Sequence, residues 1–69
     1  MNQENTPKTN LVVQLSGEDG NVFNLAGIVS KELRRNGHET LEMEMRSRLF
    51  QQESYDAVLR LFSEYVKIE

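Results

Sequence analysis

The 69-residue chain has no cysteine and no tryptophan, and only one histidine, one proline and four glycines. Without cysteine there is no disulfide, no thiolate metal site and no cysteine nucleophile. A single histidine, His38, is too few for the common histidine-rich zinc sites, so neither a metal nor a cofactor is expected. No apolar run approaches the length of a membrane span or a signal-peptide core, and the reading is of a cytoplasmic protein that does not engage a membrane. Basic charge is also in short supply. Eight Lys and Arg face 11 Asp and Glu, for a formal charge of −3, which disfavours nucleic acid because non-specific affinity comes from neutralising phosphates with cations.

The remaining composition is that of a folding chain. Hydrophobic residues make up 38% and charged residues 28%, away from the low-hydrophobicity, high-charge corner where chains stay disordered. One domain fits this length, and a chain of this size buries only about 60% of its unfolded surface. A core this small seldom supplies more than about 3–5 kcal/mol. With disulfides and metals excluded, oligomerisation is the supplement that remains.

Residues 1–10, MNQENTPKTN, lack apolar side chains after Met1 and hold the one proline, so they are expected to form a disordered tail ahead of a single domain over 11–69. Leu11 to Leu15 reads as a strand whose period of two sends Leu11, Val13 and Leu15 to the core and Val12 and Gln14 away from it. From Asn21 to Asn36, the positions Val22, Leu25, Ala26, Val29 and Leu33 follow helical spacing, and Asn36-Gly37 closes the helix. A second helix is predicted from about Glu39 to Gln51. Its acids come first and its arginines last, with Glu42–Arg46 and Glu44–Arg48 as i,i+4 pairs. Ser54 is the expected N-cap of a third helix, whose apolar stripe is Tyr55, Val58, Leu59, Phe62 and Val66, widened by Leu61 and Tyr65. Val66 to Glu69 alternates as a second short strand does. The fold class is therefore α+β in the order β-α-α-α-β, with three helices on one face of a two-stranded sheet. Parallel and antiparallel pairing both remain open.

The stretch Ser16-Gly17-Glu18-Asp19-Gly20-Asn21 has the layout of a phosphate loop, a strand passing through glycines to a helix N-terminus. The phosphate-loop and dinucleotide glycine patterns are both absent, and Glu18 and Asp19 would repel the anion. A calcium loop fails too, since Val22 and Phe23 fall where further oxygen ligands are needed. The residues read instead as a capping turn, with the glycines supplying backbone freedom and Asp19 or Asn21 accepting from the first N–H groups of the helix. The run from Leu15 to Phe23, with Gly27 four residues on and Ser54-Tyr55-Asp56 before a later helix, resembles a group of small uncharacterised bacterial and phage-encoded proteins with an L-x-G-x-D-G-N-x-F pattern. The likeness covers about residues 11–69. It implies a phage or mobile-element origin and no activity.

No catalytic constellation is present. His38 has no orienting partner in the sequence, Ser16, Ser30, Ser47, Ser54 and Ser63 have no base to activate them, and Glu42 and Glu44 point in different directions around their helix. An enzyme is not expected. Arg34 and Arg35 on the first helix, with Arg46 and Arg48 on the second, would form a basic patch if the helices lie side by side, which gives the alternative of a small DNA-binding regulator. The glutamates opening the second helix oppose that reading. Met43 and Phe50 fall nearly opposite the Leu41, Met45, Leu49 stripe, and Ile28 lies off the stripe of the first helix. These three are either ordinary scattered surface residues, with Phe50 folding back into the core beyond the helix end, or a surface for a protein partner or a second copy. A small interaction module is the leading expectation.

Overall fold

The structure, a computed structural model, describes residues 6–69; the first half of the expected tail, residues 1–5, lies outside the described residues. The elements are β1 (Val12–Val13), α1 (Val22–Arg35), α2 (Glu39–Leu49), α3 (Tyr55–Ser63) and β2 (Lys67–Ile68), in the expected β-α-α-α-β order. The two strands pair in parallel, Val12 opposite Lys67 and Val13 opposite Ile68. Parallel neighbours need a long crossover, and the whole three-helix segment supplies it. Val13 and Leu15 are buried while Val12 and Gln14 are exposed, as period two requires.

Asn21 caps α1, its side chain accepting from the Phe23 N–H at 2.8 Å. At the other end Gly37 takes φ +83°, His38 N–H donates to Leu33 O (2.8 Å) and Gly37 N–H to Arg34 O (3.1 Å). These bonds satisfy carbonyls that the end of the helix leaves unpaired, and the left-handed turn folds α2 back along α1. The inner face of α1 is Leu25, Ala26, Val29 and Leu33, all buried. Ser54 caps α3 by accepting from Ala57 N–H at 3.0 Å. The centre of its buried face is Val58, Leu61 and Phe62, continued past the helix end by Tyr65 and Val66, with Leu59 half-buried and Tyr55 exposed. The expected stripe is thus rotated: Leu61 and Tyr65 lie at its middle and Tyr55 falls off it.

Two expectations change for long-range reasons. Lys8 and Thr9, read as tail, are fastened to the end of α3: their N–H groups donate to Glu64 O (2.9 Å) and Tyr65 O (3.2 Å), and the buried Thr9 hydroxyl also donates to Tyr65 O. These bonds draw on the backbone and one hydroxyl, which apolar patterning does not register. The expected Glu44–Arg48 pair gives way to a tertiary arrangement. Arg48 forks onto Glu64 at 2.7 and 3.2 Å, and Glu44 accepts from the Tyr65 hydroxyl at 2.8 Å. A bidentate guanidinium–carboxylate contact outweighs an i,i+4 pair of a few tenths of a kcal/mol. Its hydrogen bond holds the Glu64 carboxyl below the usual glutamate range, and burial raises the Tyr65 phenol above its ordinary value.

Candidate functional site

The turn from Ser16 to Asn21 is occupied by its own hydrogen bonds. Asp19 Oδ1 accepts from Asn21 N–H (3.1 Å), Asn24 Nδ2 donates to Asp19 O (2.9 Å), and Glu18 N–H donates to Leu15 O (3.2 Å). Gly17, at φ +87°, needs a glycine for its backbone angle. Gly20 does not. A Cβ there would stand 3.3 Å from the Tyr55 hydroxyl, which donates to Gly20 O at 2.9 Å, so the second glycine serves close approach of α3.

That approach builds one wall of an open groove of about 390 Å³ where the start of α1, the end of α2 and the start of α3 meet. Leu49 and Val58 are its buried floor with the half-buried Val22, and Phe23, Phe50 and Tyr55 stand around it. Phe23 is 69% exposed, Phe50 75% and Tyr55 46%. Phe50 projects because α2 stops at Leu49 rather than Gln51, leaving Phe50 as its C-cap while Gln52 Nε2 donates to Arg48 O and takes up a terminal carbonyl. Of the three residues singled out from sequence, only Phe50 lines the groove. Met43 is exposed but lies seven positions earlier on α2, roughly 10 Å along its axis, and Ile28 is half-buried against the core. Phe23 and Tyr55 were missed. The signal for Phe23 was in view, a large ring off the Val22, Leu25, Ala26, Val29, Leu33 spacing.

The four arginines do not merge into one patch. Arg34 and Arg35 sit at the hairpin end of α1, while Arg46 and Arg48 lie in the last turn of α2, roughly 10–14 Å along that helix from its start. Three of them already hold carboxylates: Arg35 with Glu32 (3.5 Å), Arg46 with Glu42 (3.1 Å) and Arg48 with Glu64. Glu42, 2% exposed, is also taken by the Ser30 hydroxyl, which ties α1 to α2. The hydroxyls of Ser47, Ser54 and Ser63 are engaged with backbone groups, and His38 is the half-buried N-cap of α2 with no side-chain capping bond. Among the described residues no group of three or more His, Cys, Asp or Glu side chains is arranged to hold a metal ion, and no helix is long and apolar enough to cross a membrane.

No family model, no curated protein and no solved structure matches this chain.

Proposed function

We propose that the protein is a small non-enzymatic interaction module that contacts another protein through the groove between Phe23, Phe50 and Tyr55. The observation that carries this reading is the exposure of two of the chain's three phenylalanines around one apolar floor. In so small a domain, large rings held in water beside each other mark a contact surface more than isolated apolar residues do. Covering the exposed parts of the three rings would remove roughly 350–400 Å² from water, taking about 200 Å² per ring. That is worth about 9–10 kcal/mol before an association cost of about 4–15 kcal/mol. The margin is at most about 5–6 kcal/mol, an affinity on the order of tens to hundreds of micromolar, and tighter binding requires further contacts from the partner. The competing DNA-binding reading is weaker, because Arg35, Arg46 and Arg48 spend their charge on carboxylates of the same chain.

A photo-crosslinking amino acid placed at Phe50, and separately at the exposed Lys31 on α1, tests the reading in the native host. Covalent adducts to another protein at Phe50 and not at Lys31 are expected. Equal labelling at both positions, or none at either, would count against the groove.

A further inference from the structure

We infer that the groove takes a positively charged, apolar-anchored segment of a partner protein, an inference that rests on the interaction reading above. Glu53 lies in the groove wall, and Asp56 follows Tyr55 in the first turn of α3. The bond from the Tyr55 hydroxyl to Gly20 O brings the end of the 16–21 turn, one residue past Asp19, to the same ring. No lysine or arginine lines the groove. Among the described residues Glu53, Asp56 and Asp19 form no ion pair, and Arg46 and Arg48 are committed to Glu42 and Glu64. The N-termini of α1 and α3 contribute roughly half a positive charge each, the C-terminus of α2 about half a negative one, and Arg60 stands four residues after Asp56 on α3, which leaves the rim a net negative charge of about one to two. An apolar floor inside such a rim is complementary to one or two aromatic or aliphatic anchors flanked by Lys or Arg.

A second copy of this chain is a poor occupant. A two-fold contact through the rings would bury roughly 700–800 Å² in total, below the ~1,200 Å² at which stable interfaces begin. It would also set the acidic rim of one copy against that of the other, because a two-fold interface meets itself.

The test is a phage-displayed random peptide library panned on the full chain and on Phe50→Ser, whose exposed position leaves the core intact. Peptides retained only by the wild type are synthesised and titrated into ¹⁵N-labelled full chain at low and high salt. The expected winners carry net positive charge with apolar anchors, and shift the amides of Phe23, Phe50, Glu53 and Tyr55. They bind more weakly at high salt and lose about two- to five-fold in affinity on Glu53→Gln or Asp56→Asn. Groove-dependent winners that are neutral or acidic would overturn the charge inference and leave the groove standing. Peptides retained equally by Phe50→Ser, no retained peptide, or a Phe50-dependent dimer in sedimentation would overturn both.

Discussion

Removing Arg46 should destabilise this protein more than neutralising the glutamate it serves. Glu42 is buried, and its carboxylate has two partners, the Ser30 hydroxyl from α1 and the Arg46 guanidinium one turn along α2. Stripping a buried charge of its ionic partner costs about 3–5 kcal/mol. The Arg46 side chain is 56% exposed, so water can enter where it stood, and about half that cost is a fair expectation for Arg46→Ala, about 1.5–2.5 kcal/mol. Glu42→Gln keeps the volume and an acceptor for Ser30 while deleting the charge that needed a counterion, so its cost should stay near about 1 kcal/mol. Glu42→Ala removes packing and leaves the Ser30 hydroxyl without its acceptor, at about 2–4 kcal/mol, close to everything a core of this size supplies. Thermal melts followed by circular dichroism should order the variants Glu42→Gln, Arg46→Ala, Glu42→Ala by increasing loss, with Arg46→Ala lowering Tm by about 6–20 °C. The double variant Arg46→Ala/Glu42→Gln should be hardly worse than Glu42→Gln alone, since charge and counterion leave together. If Arg46→Ala proves as mild as an ordinary surface change, or Glu42→Gln costs more than it does, then the guanidinium is not what makes burial of this carboxylate tolerable.

Two further expectations concern the backbone and pH. A Cβ at Gly27, exposed inside α1, would meet nothing within 4 Å, so Gly27→Ala should gain about 0.5–1 kcal/mol; Gly17→Ala, at φ +87°, should lose about 1–2 kcal/mol, and equal effects in a denaturant titration would refute the distinction. Glu64 is held below its ordinary value by Arg48, so its folded form binds protons less readily than its unfolded form, and its contribution is full above the usual glutamate range and lost as pH falls below it. Because both side chains are more than a third exposed, the effect should not exceed about 1 kcal/mol. Wild type and Glu64→Gln should differ in Tm at pH 7 and converge toward pH 3; a gap that stays constant would sink this assignment.

Local signals in the sequence were read directly into structure. The alternation of Leu11 to Leu15, the stripe of α1, and the caps at Asn21, Gly37 and Ser54 each depend on residues within a few positions of one another. What escaped notice was set by distant partners. Tyr65 is 21 positions from Glu44 and 17 from Arg48, so no i,i+4 rule could assign the hydrogen bonds of its hydroxyl. The burial of Glu42 depends on α1 presenting Ser30 across the hairpin, 12 positions away. The groove was half legible: Phe50 stood out by phase on α2, but its neighbours Phe23 and Tyr55 join it only once three helix ends meet.

The pairing of Val12 with Lys67 joins segments 55 positions apart, and Thr9 reaches Tyr65 over 56. Closing a loop of that length in a bare coil costs roughly 3–4 kcal/mol, which two short strands alone cannot repay. Helices formed beforehand shorten the span to be closed, so the strand pairing is expected to follow them. During synthesis β1 emerges long before its mate, and β1's row of unpaired N–H and C=O groups waits in water until β2 arrives.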